Sequence, residues 1–401
     1  MKQRILIIGA GFAGMWSALS AVRLLDMHDR TNVEIALIAP LAELHVRPRL
    51  YEQNPEAMKA PLQALFDAVG VRFIQGMVGR IDVEGHQVEV TNAAGETTLQ
   101  GYDRLVLAAG SRLFRPQIAG LAEHAFNVDQ LAEAVRLDEH IKALAQQPSS
   151  LARNTVVVAG GGFTGIETAA EMPARLREAL GEDTPIRVIM VELNADIGPD
   201  LGPGPRPVIE EALGSLGVTW RLSTAVAAVD DHGVTLDNGE RIEAATVIWT
   251  AGARASALTA QIPAERDAFG RLVVDDNLKV PGVADVYATG DCAHAATDDI
   301  GNHAMMSCQH AMALGRSAGN NAVADLLGVT PAAYRQPKYV TCLDLGPWGA
   351  VYTEGWDRQV VLRGAEAKSL KQQINSIWIY PPEADRAAAL ALADPARPVV
   401  A

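Results

Sequence analysis

A chain that carries the same glycine-spaced turn twice, each time between an apolar run and a helix-forming run, has few folds open to it. The first copy is Gly9-Ala10-Gly11-Phe12-Ala13-Gly14, led by Ile5-Leu6-Ile7-Ile8. The second is Gly160-Gly161-Gly162-Phe163-Thr164-Gly165, led by Val156-Val157-Val158-Ala159 and followed by an Ile-Glu-Thr-Ala-Ala-Glu helix start. A short run of apolar residues before such a turn reads as a buried strand. In a turn of this form the first glycine permits the tight reversal, the second leaves the backbone bare for a pyrophosphate, and the third lets helix pack on strand. The helix N-terminus then aims its free N–H groups at the phosphates. Each copy therefore predicts a strand, a dinucleotide turn and a helix.

The partner strands differ in how they end. Ile186 to Val191 closes on Glu192, a carboxylate placed to accept hydrogen bonds from a ribose 2′-OH and to repel a 2′-phosphate, which favours NADH over NADPH. The first unit's second strand, Val33 to Ile38, instead runs into Ala39-Pro40, and the nearest downstream carboxylate is Glu43. Either Glu43 or a backbone group takes that ribose contact, or the ribose is held more loosely.

At 401 residues the chain is long enough for two or three domains with full cores. A formal net charge of −14 argues against a nucleic-acid partner and opposes adhesion to an anionic membrane. Three cysteines, Cys292, Cys308 and Cys342, without a Cys-x-x-Cys, support neither a structural zinc site nor a local redox disulfide, and no metal is expected. Free thiols suit a reducing cytoplasm. The uncharged stretch Ile5 to Val22 imitates a signal peptide or a membrane span, but Gly9, Gly11 and Gly14 divide it into strand and helix.

Two dinucleotide turns in one chain imply a flavoprotein that takes hydride from a nicotinamide. The strand Val283 to Ala288 runs into Thr289-Gly290-Asp291-Cys292-Ala293. An Asp just past a strand and a Gly can reach the crevice at the carboxyl edge of the sheet, to meet ribityl hydroxyls or approach the pyrophosphate; the alternative is a plain cap for the next helix. The apolar strands Leu105 to Ala109 and Val247 to Thr250 each end in Ala-Gly, at Ala109-Gly110 and Ala251-Gly252, where a small backbone can cross beneath a cofactor. The glycine turns, Ala108-Ala109-Gly110, Thr250-Ala251-Gly252 and Ala288-Thr289-Gly290-Asp291 fall in the order of the two-dinucleotide-binding-domain flavoproteins. Within them, the Gly-Gly-Gly-x-Thr-Gly-Ile-Glu form and His45-x-x-Pro48-x-Leu50-Tyr51 resemble type II NADH dehydrogenases and apoptosis-inducing-factor-like quinone reductases, over roughly residues 1 to 325.

The resemblance implies an α/β chain of two Rossmann-like domains in a glutathione-reductase-like arrangement, with a small α+β region at the C-terminus. A discontinuous FAD domain is expected over 1–115 and 268–325, an inserted NADH domain over 116–267, and the C-terminal region over 326–401. Val128 to Gln146 reads as a mostly helical crossover, and Gly198 to Pro207, with four prolines and three glycines, as an irregular, mobile entrance loop. Leu370 to Tyr380 reads as a helix with Leu370, Ile374, Ile377 and Trp378 on one face, expected to pack on the flavin domain rather than to anchor in a membrane.

The implied activity is an FAD-dependent NADH:acceptor oxidoreductase that passes two electrons to a quinone or quinone-like molecule, in the cytoplasm or peripherally at the inner face of the membrane, as monomer or homodimer. A flavin- and NADH-binding redox sensor, and a reductase of a small electron-carrier protein, are the alternatives. Candidate catalytic residues are Glu167, which the resemblance places near nicotinamide and flavin, Gln309, and Arg47 with Pro48, on a loop the family brings to the flavin. The helix starting at Ser307-Cys308-Gln309-His310 can set its positive end against the flavin pyrimidine ring. Cofactor contacts are expected from both glycine turns, Phe12, Ala13, Phe163 and Thr164 among them, and from Ala109, Gly110, Gly252, Gly290, Asp291, Cys308 and Glu192. The family's Ala-Gln-x-x-Gln is here Cys308-Gln309-His310-Ala311-Met312, so the second glutamine is missing, and Cys308 reads as a buried, inert thiol.

Overall fold

The computed structural model describes residues 3–399; residues 1–2 and 400–401, the outer ends of the first and last expected domains, lie outside the described residues. Gln3–Ile8 (β1) leads through the first glycine turn into the helix Phe12–Met27 (α1), which returns the chain to Val33–Ala39 (β2). Arg72–Gln75 (β3) adds beside β2, and Arg104–Leu107 (β4) beside β1. With Val286–Ala288 on the far side of β4, these strands form a five-stranded parallel sheet. The expected strand from Val283 is shorter than predicted, because a turn at Gly282 with Asp285 in the left-handed region delays it to Val286.

Past β4 the chain runs through Ser111–Leu113 (β5) and the helix Leu131–Ala143 (α2) to the second unit. There Thr155–Ala159 (β6), the helix Phe163–Leu180 (α3) and Arg187–Val191 (β7) repeat the first pattern. Val218–Arg221 (β8) and Thr246–Trp249 (β9) complete a four-stranded parallel sheet in the order β8, β7, β6, β9. The chain leaves through Ala253–Ala255 (β10), which pairs antiparallel with β5. Both crossings between the units thus lie side by side in one two-stranded ribbon, just past the two Ala-Gly turns.

Val286–Ala288 (β11) closes the first sheet, and Cys308–Leu327 (α4) lies along α1. This explains the uncharged run near the start. α1 has the sheet on one side and α4 on the other, so residues all round it are buried, from Phe12 and Met15 to Leu24 and Leu25. The α1–α4 crossing depends on small residues. A Cβ on Gly315 would run into the backbone of Ala13, and one on Gly319 into that of Ser17. Ser17 Oγ fills the gap, donating within hydrogen-bond distance of both Ala13 O (2.8 Å) and Gly315 O (3.0 Å).

The C-terminal region is an antiparallel sheet of Val340–Asp344 (β12), Ala350–Glu354 (β13) and Gln359–Arg363 (β14), followed by the helix Gly364–Gln373 (α5) and a π-turn over Ile374–Trp378. Two expectations fail here. The helix starts earlier and ends earlier than predicted, and its packed face is Ala367, Lys371 and Asn375, while Ile377 and Trp378 stand 66% and 54% exposed. The wide π-turn rotates that pair away from the core. Gly198 to Pro207 is not a loose loop either: Gly198 N–H donates to Gly161 O (2.9 Å), Leu201 is buried, and Arg206 Nε donates to Ile197 O (3.1 Å). Among the described residues no helix is long and apolar enough to cross a membrane.

Gly319→Ala is expected to lower the apparent melting temperature, because the added methyl forces two backbones apart at a cost of about 1–3 kcal/mol. A thermal scan unchanged from wild type would mean that the crossing is looser than described.

Candidate active site

The two glycine turns have the same geometry, reached by different residues. Gly9 (φ +108°) and Gly160 (φ +114°) both sit in the left-handed region, where a side chain is strained. A Cβ on Gly14 would strike Gly9 O, and one on Gly165 would strike Gly160 O, so each helix rests directly on its turn. The middle glycines are the exception: a Cβ on Gly11 or on Gly162 would meet nothing within 4 Å. Each N-cap therefore faces open space in front of the free N–H groups of a helix start, which fits a pyrophosphate at both places.

Glu192 follows the last residue of β7, beside the second glycine turn. Its carboxylate is buried and accepts from Gly161 N–H (2.6 Å) on one oxygen and from the backbone and side-chain amides of Asn194 (2.7 and 2.6 Å) on the other. It fixes the glycine turn as well as offering an acceptor there. In the first unit Ala39 is buried, and Glu43 is held by Lys59 (3.8 Å) and His45 (3.5 Å). No carboxylate at the end of β2 takes the corresponding place.

Gly290 (φ +59°) brings Asp291 over the first turn of α1, a Cβ on Gly290 coming within 2.7 Å of Ala13 Cβ. Asp291 does not cap a helix with its side chain; its Oδ2 accepts from Ser111 Oγ (2.6 Å) and lies 3.7 Å from the Arg47 guanidinium. Arg47 also donates to Ser111 Oγ (3.2 Å), to Asp129 O (3.0 Å) and to the Asp129 carboxylate. Pro48 lies in the short helical turn Arg47–Arg49 beside this network. Next to Asp291, Thr289 is fully buried and its Oγ1 has no hydrogen-bond partner among the described residues. Ala109 and Gly110 (φ +68°) flank the same crevice through the bond from Cys292 Sγ to Gly110 O, and Gly252 (φ +80°) is the counterpart beyond β9, bound through its carbonyl to Phe114 N–H (2.9 Å).

Glu167, on the second turn of α3, is 3% exposed. Its Oε1 accepts from Lys371 Nζ (2.8 Å) and Asp344 N–H (3.0 Å), and Lys371 also donates to Cys342 O (2.9 Å). Burial pushes the Glu167 carboxyl up to about 7, against the pull of Lys371. Burial works against the Lys371 ammonium, yet Glu167, Cys342 and Asp344 together outweigh it and hold the group charged above its ordinary range. Asp344 accepts from Lys368 Nζ (2.6 Å), and the Lys371 ammonium lies 5.6 Å from the ring of Phe163. α5 thus reaches across to α3. Lys371, Asp344 and Asp129 are not among the residues that the sequence singles out; Lys371 sits in a largely polar stretch, Glu366 to Gln373, that gives no local sign of its burial.

Ser307 caps α4, its Oγ accepting from His310 N–H (3.3 Å). Both ends of the Gln309 carboxamide are tied to the C-terminal region, donating to Val340 O (3.1 Å) and accepting from Gln336 (3.2 Å). Cys308 is half-buried and Met312 buried. Desolvation pushes the Cys308 thiol up to about 11, Cys342 to about 11 and Cys292 to about 12, and all three are free. None is an activated thiolate.

Two phosphate cradles in adjoining parallel sheets, joined by one ribbon, with a buried carboxyl titrating near neutrality beside the second cradle, define an oxidoreductase that works with two dinucleotides. The model of the pyridine nucleotide-disulphide oxidoreductase family matches residues 3–315, and the chain belongs to that family. It is an FAD- and NADH-dependent oxidoreductase. An NADH dehydrogenase-like protein of Mycobacterium tuberculosis is 47% identical over 398 residues, 98% of each chain. A type II NADH:quinone oxidoreductase of Staphylococcus epidermidis is 26% identical over 399 residues, 94% of this chain and 96% of that one. In fold the chain is similar to NDH2 of Plasmodium falciparum solved with NADH, at a TM-score of 0.79 and 14% identity over 98% of this chain and 97% of that one. The three cysteines here lack the spacing and the activation for the redox disulphide in the family's name.

The Glu167 shift carries a sign for stability. A folded value of about 7 against 4.5 means that the folded state binds the extra proton, so the contribution is greatest below about 4.5 and is lost as pH rises through about 7. Glu167→Gln is expected to flatten the fall in denaturant midpoint over that window; an identical fall in the variant would assign the pH dependence to other groups.

Proposed function

We propose that the chain oxidises NADH and passes two electrons to a quinone or quinone-like small molecule through bound FAD. The observation that carries this reading is the pair of matching cradles, each with open space in front of its helix start and only the second with a carboxylate, Glu192, at the strand end. FAD, when bound, supplies the two-electron relay between NADH and the acceptor. We assign the flavin to residues 1–115 and 268–325, NADH to 116–267, and the acceptor side to the junction with 326–401.

In this reading the amides at Gly11, Phe12, Ala13 and Gly14 bind the flavin pyrophosphate, and Asp291 accepts from its ribityl hydroxyls. The amides at Gly162, Phe163 and Thr164 bind the NADH pyrophosphate, and Glu192 accepts from the adenosine ribose. Ala109, Gly110 and Gly252 let the two ring systems approach. Arg47 and Pro48 line the flavin loop, and Cys308 and Gln309 begin the helix whose positive end stabilises negative charge on the pyrimidine side. Glu167 holds a proton near neutral pH, with Lys371 fixing its position, which suits delivery of the proton that quinone reduction consumes. The quinone class is supported by the names of the relatives, and the missing second glutamine at Met312 leaves the acceptor's identity to experiment. We place the enzyme in the cytoplasm, with the exposed Ile377 and Trp378 as the element for peripheral contact with a membrane.

Purified protein is expected to be yellow and to be bleached by one equivalent of NADH without oxygen, then re-oxidised by a quinone from a panel that also includes dyes and protein carriers. Bleaching with no acceptor from the quinone class would overturn the acceptor assignment. Glu192→Ala is expected to raise the KM for NADH and to narrow the preference for NADH over NADPH by about tenfold, the loss of about one charged hydrogen bond. Unchanged selectivity in steady-state assays would remove Glu192 from the ribose.

A further inference from the structure

Arg47 stands between two carboxylates that belong to different units. Asp291 follows β11 of the first sheet, where Thr289 N–H donates to Leu107 O (3.1 Å). Asp129 rides on the second sheet, since Phe126, three residues earlier, donates to Val247 O (2.8 Å) and accepts from Trp249 N–H (2.8 Å). The Asp129 backbone is pinned by Asn127 Oδ1 (3.0 Å), and its Oδ2 accepts from Leu113 N–H (3.0 Å) on the connecting ribbon and from Gln130 Nε2 (2.7 Å). It is therefore a fixed, 13% exposed anion at the seam. It takes the Arg47 guanidinium by its carboxylate and its backbone oxygen together, leaving Asp291 at 3.7 Å.

We propose that Asp129 is a positioning residue for the flavin. By holding Arg47 it keeps the 3.7 Å ion pair with Asp291 from tightening into a hydrogen bond, so the Asp291 carboxylate stays available to cofactor hydroxyls. Flavin seating is thereby coupled to the orientation of the nicotinamide unit through one side chain. This rests on the flavin reading proposed above. Asp129 neither touches the cofactor nor takes part in hydride transfer; it acts through Arg47.

The test uses full-length protein stripped of flavin and titrated with FAD, following the quenching of flavin fluorescence. Asp129→Asn keeps an acceptor for Leu113 N–H but removes the charge, and is expected to bind FAD about tenfold more weakly, the effect of about one charge-assisted hydrogen bond. In an Arg47→Met background the same substitution is expected to change nothing, because the guanidinium it restrains is gone. A merely structural Asp129 would cost the same in both backgrounds, and that result overturns the inference. Glu133→Gln, which alters the neighbouring contact to Asn127 (3.1 Å) without reaching Arg47, is expected to leave FAD affinity at the wild-type value. Wild-type affinity in Asp129→Asn sinks this inference alone, whereas a wild-type chain that takes up no FAD sinks the flavin reading and this inference with it.

Discussion

The closeness with which each first-turn helix lies on its own strand turn governs the rest. Gly14 rests on Gly9 O and Gly165 on Gly160 O, distances no other residue type tolerates. That contact pulls the helix N-terminus down to the carboxyl edge of the sheet and leaves the amides beyond Gly11 and Gly162 facing outward. The constraint propagates to α4, because once α1 is fixed on the sheet, Gly315 and Gly319 are needed for α4 to reach it, and α4 carries the Cys308–Gln309 end of the site.

A second level of organisation is electrostatic. Glu167 and Lys371 are both nearly inaccessible, and an ion pair so placed costs several kcal/mol of desolvation per charge that its Coulomb attraction recovers only with good geometry. Here the geometry is supplied by backbone: Asp344 N–H on the carboxylate and Cys342 O on the ammonium, both from β12. The C-terminal sheet is therefore a support for the buried pair, and the pair ties α3 to α5 and β12.

What the sequence made legible follows from the range of the interactions. The strand, turn and helix of each unit are specified by consecutive residues; β1, β2, β6 and β7 appear within a few residues of the predicted bounds, and a helix follows each glycine turn. The π-turn at Ile374–Trp378 and the anchoring of Gly198 to Gly161 O are set by contacts distant in the chain, and the expectations there failed. Periodicity showed Leu370, Ile374, Ile377 and Trp378 as one face of a regular helix; a single widened turn divided that face between core and solvent. Proline and glycine content marked 198–207 as irregular, which is a statement about backbone dihedrals and not about mobility.

The same division separates the two ends of the site. Pyrophosphate recognition is done by backbone amides, so its sequence trace is the absence of side chains at fixed spacing, and it is readable wherever it occurs. The junction of α3, α4, β12 and α5 is instead built by side chains, whose sequence separations, such as that between Glu167 and Lys371, leave no local pattern. A lysine in a polar helical stretch is normally solvated, and only a carboxylate arriving from another unit makes the burial of Lys371 tolerable. Substitutions that respecify the acceptor in such a chain are therefore free to occur without disturbing any motif that marks the cofactors. Met312, at the position of the second glutamine in the resembled Ala-Gln-x-x-Gln, is buried in a helix held by Ser307 and its crossing with α1, so a change of side chain there leaves both glycine turns as they are.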